Sequence, residues 1–123
     1  MTQRPSPYAS FSLVKGCLIV TLLGEVGVET LRGLRSDLLT RLTKARATGV
    51  ILDVSAVVVL DPSDALAIRD ILKMCALLGA EAMLVGLSVD IVMALVNLDT
   101  PLGDLASAAS VEDAIDTLMS LRA

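Results

Sequence analysis

Hydrophobic residues in this chain form short continuous runs that alternate with stripes of helical spacing. Two apolar runs, at residues 11–14 and 17–23, flank Lys15-Gly16 and predict a β-hairpin closed by a tight turn. From residue 29 to residue 47, apolar residues recur three and four positions apart, which predicts an amphipathic helix ended by Ala47-Thr48-Gly49. The stripe of that helix comprises Leu31, Leu34, Leu38, Leu42 and Ala45.

The middle of the chain predicts a buried strand and a second helix. GVILDV at 49–54 has the continuous apolar pattern of a strand covered on both faces, and residues 57–60 follow as an apolar connection or a strand extension. The helix begins at Asp61-Pro62, because aspartate is a favoured N-cap and proline loses no hydrogen bond at the first helical position. It runs to about Leu78 and ends at Gly79, with its apolar stripe at Ala65, Ile68, Leu72 and Cys75.

The last third of the chain continues the alternation of predicted strands and helices. A strand at 81–87 precedes a helix at 89–98, whose N-cap is Ser88. A short edge strand is expected from about Leu105, and a final helix from Ser110 to Arg122. The residues expected to point inward from this final helix are Ala114, Ile115, Leu118 and Met119.

This order of elements predicts an α/β fold. Strands that alternate with helices imply crossover connections and parallel pairing. Because the N-terminal hairpin adds an antiparallel pair, we expect a mixed, mostly parallel sheet with about four helices. The chain has 123 residues, enough for one domain, which we place at 9–123 behind a flexible N-terminus at 1–8.

Composition excludes several classes of function. The chain has no histidine, which removes Ser-His-Asp and Cys-His catalysis and histidine-based metal sites. Its net charge of −4 argues against a nucleic-acid-binding surface. The two aromatic side chains, Tyr8 and Phe11, cannot form a platform on which bases stack. Neither a phosphate-binding loop motif nor a dinucleotide-binding motif is present. We therefore expect a non-enzymatic chain without a metal or a cofactor.

The same composition bears on location. Although 54% of the residues are hydrophobic, the longest stretch without a charge is the ten residues 5–14, whereas a spanning helix needs about 20 apolar residues. Cys17 and Cys75 each lie inside an apolar segment, which favours two buried free thiols over a disulfide or a nucleophile. We expect no membrane insertion and a reducing, cytoplasmic setting.

The start of the second helix carries the candidate chemistry. Asp61 and Asp64 lie one helical turn apart and could act as a general acid/base pair or hold a divalent cation, but we favour helix capping. Phosphorylation of Ser63 would add about −1.5 to −2 charge to this acidic loop, which makes a switch by like-charge repulsion physically available. The alternative is that Ser63 is simply an early helix residue.

The order and spacing of several apolar motifs resemble a known family. The segment ILDVSAVVVLDPSDALAIRDILKMCALLGAEAMLVGL, preceded by GCLIVTL, resembles the STAS domain of anti-sigma factor antagonists. With MLVGLSVDIVMALVNL, it is most similar to RsbS-like scaffold proteins of the stressosome and to the C-terminal domains of RsbR-type paralogues. Each motif alone is weak, because all are largely apolar, and the resemblance covers roughly residues 9–121.

The resemblance implies a protein-binding module of a bacterial stress-signalling system. Expected partners are a protein kinase of the partner-switching type and RsbR-like STAS proteins, and self-association is expected as well. In such domains the kinase phosphorylates a serine or threonine just after the loop aspartate, and this changes which partner is held. Two alternatives stay open: a small anti-sigma factor antagonist that acts as a monomer, and the regulatory STAS domain of a transport system.

The chain departs from the family pattern at the switch. The acceptor position directly after Asp61 is Pro62, which has no hydroxyl, and a second phosphosite of RsbR-type paralogues maps near Ala94. Three interpretations remain. Ser63 substitutes as the acceptor; or the protein is a non-switchable scaffold in which Asp64 supplies a standing negative charge; or the chain belongs to a divergent system with a different input.

The third predicted helix is expected to contact other protein chains. Val92, Met93 and Val96 leave it few polar positions, and a helix that is apolar on most faces is either buried or part of a contact surface. We expect these residues, with the Asp61 loop, to face a protein partner. The alternative is full burial of the helix against the sheet.

Overall fold

A computed structural model describes residues 9–97 and 106–121 of the chain. Its centre is a five-stranded sheet in the order β1-β2-β3-β4-β5. β1 and β2 pair antiparallel, and the pairs β2–β3, β3–β4 and β4–β5 are parallel, so the predicted mixed, mostly parallel sheet with an N-terminal hairpin is confirmed. The strands span Ala9–Val14, Cys17–Leu22, Gly49–Asp53, Glu81–Val85 and Ser107–Ala108, in chain order.

Within the described residues, four helices cover the two faces of this sheet. They are α1 (Val28–Ala45), α2 (Pro62–Leu77), α3 (Val89–Asn97) and α4 (Val111–Leu121). Alternate residues of β3 serve the two faces: Val50 and Leu52 pack with α1 and α2, whereas Ile51 packs with α4. A strand buried on both faces needs apolar side chains at successive positions, which explains the continuous run of apolar residues in β3.

The first helix ends earlier than its pattern predicts. It stops at Ala45, because Arg46 adopts a left-handed conformation (φ 52°) and donates its N–H to the carbonyl of Leu42. Gly49 begins β3, as the predicted strand at 49–54 requires. A Cβ there would lie 3.1 Å from both Cys17 Sγ and Leu118 Cδ1, so this glycine allows α4 to pack close to the sheet.

Two further expectations need correction. The strand predicted at 81–87 ends at Val85, because Gly86 has a φ of 83°. Met119 does not point inward: it is 41% exposed, whereas Ala114 and Leu118 are buried. Val111 and Ile115 are partly buried beside Ala114 and Leu118, whereas Met119 is turned about 100° from Leu118 and lies outside this buried side of the helix.

Some expectations lie outside the described residues: the flexible segment 1–8, the start of the edge strand at Leu105 and the end of the last helix at Arg122. Cys17 and Cys75 are free and buried, as predicted. None of the helices within residues 9–97 and 106–121 is long and apolar enough to cross a membrane.

Candidate interaction site

The loop that follows β3 is clamped to the carboxyl edge of the sheet. Asp53 Oδ1 accepts the N–H of Ser55 at 2.9 Å, and Val54 donates its N–H to the carbonyl of Val85 at 2.9 Å. Across from them, a Cβ on Gly86 would lie 2.8 Å from the backbone nitrogen of Ser55. The loops after β3 and β4 therefore touch, and this contact fixes where the β3–α2 loop leaves the sheet.

The same loop displays two apolar side chains to solvent. Val57 and Leu60 are buried and anchor it, whereas Val58 is 85% exposed and Val59 is 75% exposed. The expected connection at 57–60 is thus a loop and not a strand extension. Because both ends of this loop are held, Val58 and Val59 have a fixed position at the edge of the sheet. We call the surface formed by these two side chains the ledge.

Asp61 organises the start of α2, as its sequence predicts. Its Oδ1 accepts the N–H of Asp64 at 2.9 Å and the hydroxyl of Ser63 at 2.7 Å, while Pro62 occupies the first turn. These hydrogen bonds, the one from the Ser63 hydroxyl most of all, lower the pKa of Asp61. Asp61 is therefore a charged N-cap on the surface.

Ser63 and Asp64 differ in exposure although they are neighbours. The hydroxyl of Ser63 lies on the exposed side of the helix, whereas Asp64 is only 8% exposed. Burial, followed by the nearby charge of Asp61, raises the pKa of Asp64. A reactive group approaching from solvent would meet the serine hydroxyl and not the Asp64 carboxylate.

Two open grooves meet at this helix start. One, of about 610 Å³, lies between the β2–α1 and β3–α2 loops, and the other, of about 470 Å³, lies between α1 and α2. The first is acidic and is lined by Gly24, Glu25, Val26, Ala56, Val58, Val59, Asp61 and Asp64. The second is lined by Val28, Leu31, Arg32, Arg35, Ser63, Asp64, Ala67, Asp70, Ile71 and Met74.

The acidic pair does not extend into a metal site. Across the part of the chain that the structure describes, no group of three or more cysteine, aspartate or glutamate side chains is placed to hold a metal ion. What Asp61 shows is the capping geometry, with one oxygen accepting two hydrogen bonds.

The third helix presents a separate apolar surface. Ser88 Oγ accepts the N–H of Ile91 at 3.2 Å, and Ile91 is buried against the core. The three residues predicted to bind a partner are exposed, Val92 by 39%, Met93 by 53% and Val96 by 66%, and full burial of the helix is therefore wrong. Val92 lines a small hollow beside β4 and β5 and lines neither groove at the start of α2.

Two features of the site were not predicted from the sequence. The first is the exposure of Val58 and Val59, although a signal was present: Asp61-Pro62 fixes the helix start, which leaves the preceding apolar residues in a loop. The second is the position of Arg32 and Arg35, which share a groove with Ser63. No local pattern could have shown that, since α1 and α2 are distant in sequence.

Several solved structures have this fold. A point variant of Moorella thermoacetica RsbS is 22% identical, with a TM-score of 0.77 over 93% of this chain and 97% of that chain. A chain of the stressosome, described as a signal integration and transduction hub, is 22% identical, with a TM-score of 0.74 over 92% and 98%. The anti-sigma factor antagonist SpoIIAA in its unphosphorylated form is 17% identical, with a TM-score of 0.72 over 91% and 96%.

At these identities the structures establish the shared fold, and membership of a family rests on the sequence. No curated protein matches the chain. The family model of the STAS domain matches residues 8–101, which is well over half of the chain. The sheet, the four helices and the helix start at Asp61 all lie in the arrangement that the resemblance implied, and the chain belongs to the STAS domain family.

Proposed function

We propose that this chain is a non-enzymatic protein-interaction module of a bacterial stress-signalling complex of the partner-switching type. It acts as a scaffold or antagonist that binds a regulatory kinase and RsbR-like STAS proteins in the cytoplasm. The proposal is supported by the STAS fold and by the likeness to RsbS and SpoIIAA structures. The observation that carries it is the ledge of Val58 and Val59 beside Asp61 and Ser63.

The ledge has the properties of a docking surface. Two branched side chains that are more than 70% exposed present apolar area to water in the free chain, and a partner that covers them gains the free energy of its burial. The carboxylates of Glu25 and Asp61 border the same groove, so a partner with basic side chains around an apolar centre fits it. We assign the kinase to this surface.

The exposed face of α3 supplies a second surface. Val92, Met93 and Val96 are exposed and line neither of the two grooves. We assign self-association and RsbR-like partners to α3. Two separate surfaces are what a scaffold needs to hold an assembly and a kinase at once.

Binding assays on surface variants test both assignments. Val58→Asp with Val59→Asp is expected to abolish capture of the purified cognate kinase, while Val92→Asp with Met93→Asp is expected to reduce particle size and leave kinase capture intact. Leu77→Asp is the matched control, because Leu77 is 89% exposed and lies at the far end of α2. Equal capture of the kinase by wild type and the ledge variant, with both folded, would remove the proposal's main support.

We further propose Ser63 as the phosphoacceptor in place of Pro62. Its hydroxyl is exposed, whereas the buried Asp64 is poorly placed to display a standing negative charge. The kinase would form a bond between Ser63 Oγ and the γ-phosphorus of ATP as the β–γ anhydride bond breaks. ADP leaves, and the hydroxyl proton passes to a base on the kinase.

Mass spectrometry after incubation with the kinase and ATP tests this acceptor. We expect one phosphate on wild type and on Ser12→Ala, a control at an exposed serine of β1, and none on Ser63→Ala. An unmodified wild-type chain, with a kinase that is active on another substrate, would favour the non-switchable scaffold instead.

A further inference from the structure

The groove between α1 and α2 brings two arginines together with Ser63. Arg32 and Arg35 line it from α1, and Ser63 and Asp64 line it from α2. The guanidinium of Arg32 lies 3.5 Å from Glu29 in a pair that is mostly exposed. Within the described ranges, Arg35 forms no ion pair. Asp70 also lines the groove, and its carboxylate lies 3.8 Å from Arg69.

Phosphorylation would change the partner of the Ser63 oxygen. In the unmodified chain the hydroxyl donates to Asp61 at 2.7 Å, but a phosphoryl ester on Oγ leaves no proton to donate. The added charge of about −1.5 to −2 would be repelled by Asp61 and Asp64. The cationic residues that line the grooves around Ser63 both lie on α1, and a guanidinium offers the planar donors that suit a phosphate.

We infer that phosphorylated Ser63 turns away from Asp61 and binds Arg35 across the groove, with Arg32 as a second contact. This inference rests on the proposed function, since it concerns the state that the kinase would create. The modification then does more than add repulsion to an acidic loop. It ties the start of α2 to α1 and leaves Asp61 capping only the N–H of Asp64.

The ion pair between the Ser63 phosphate and the Arg35 guanidinium would be partly exposed to solvent, and this exposure limits its strength. Solvent and salt screen exposed ion pairs, so a guanidinium here lowers the second pKa of the phosphate by roughly half a unit rather than the one to three units of a buried pair. Loss of Arg35 should therefore raise the second pKa of the phosphate by about that amount. Loss of both arginines should raise it further.

The experiment installs phosphoserine at position 63 during translation, so that it does not depend on the kinase. The second pKa of the phosphate is measured by ³¹P NMR titration in the wild-type background, in Arg35→Gln and in Arg32→Gln/Arg35→Gln. Lys44→Gln is the control, because it removes the same charge from an exposed position of α1 that does not line the groove. Unmodified versions of all variants are melted alongside to verify the fold.

The expected result is a raised phosphate pKa in both arginine variants and no change in Lys44→Gln. A phosphate pKa equal in wild type and in the double arginine variant, with all chains folded, would overturn the inference. Its failure is distinct from failure of the proposed function. If the kinase does not phosphorylate Ser63, this titration is unaffected, because the phosphoserine is installed during translation. If the phosphate pKa does not change in the arginine variants, the binding assays on the ledge still test the proposed function.

Discussion

Gly86→Ala is expected to loosen the clamp that positions the interaction ledge. Gly86 has a φ of 83°, and a Cβ there would lie 2.8 Å from both the backbone nitrogen and the Cβ of Ser55, and 2.9 Å from Asp53 Oδ1. Asp53 ends β3 and Ser55 begins the β3–α2 loop, and neither can move without disturbing the hydrogen bond between them. The substitution therefore combines backbone strain with a steric overlap.

The two contributions can be separated with Gly24→Ala. Gly24 has a similar φ of 73°, but no atom lies within 4 Å of the position that its Cβ would take. Alanine in this conformation costs about 1–2 kcal/mol, offset by about 0.4–1 kcal/mol from the stiffer unfolded chain, in both variants. The overlap at Gly86 adds about 1–3 kcal/mol, by comparison with overpacked cores.

Thermal and urea unfolding of the two variants, side by side, measure the difference. Since 1 kcal/mol shifts the melting temperature of a domain of this size by about 4 °C, Gly86→Ala should melt about 4–12 °C below Gly24→Ala. It should also bind the kinase more weakly, because the ledge is displaced. Equal stability of the two variants would show that the loops after β3 and β4 do not touch as described.

Three further outcomes are expected. Leu52→Ala, in the centre of the core, should lower the free energy of unfolding by about 2–5 kcal/mol, whereas the same change at exposed Leu77 should alter it by less than about 0.5 kcal/mol, as urea unfolding would show. Folding raises the pKa of Asp64, so the folded chain favours the protonated form, and ionisation costs stability as the pH rises above the ordinary value of 3.8. Asp64→Asn should therefore gain stability relative to wild type between acid and neutral pH, and a constant difference would contradict this. Burial raises the pKa of Cys75 to about 11, so this thiol should react with a disulfide reagent only after denaturant is added.

Local signals in the sequence predicted most of the framework. The leucine spacing of α1 and the Asp61-Pro62 start of α2 depend on neighbours within one or two helical turns, and both are confirmed. The structure differs from the sequence-based predictions where tertiary structure, and not the local sequence, determines the conformation or the exposure of a residue. Arg46 ends α1 in a conformation that its residue type rarely adopts, and Met119 is exposed because it lies about 100° around α4 from the buried Leu118.

The candidate site was predictable only in part, for the same reason. The capping role of Asp61 follows from sequence, but the exposure of Val58 and Val59 depends on the path of a loop held by β4. Likewise, the groove that Arg35 shares with Ser63 requires two helices to lie side by side. Such juxtapositions between distant segments carry no local pattern.

Under the proposed function, this chain works by binding other proteins at the ledge and at α3. Size-exclusion chromatography with light scattering, on the chain mixed with the RsbR-like protein and the kinase of the same genome, tests whether it joins such an assembly. We expect the chain to leave its own elution position and to join a particle that contains both partners. A chain that keeps the mass of a monomer, while the two partners are shown to be folded and active, would contradict the proposed function.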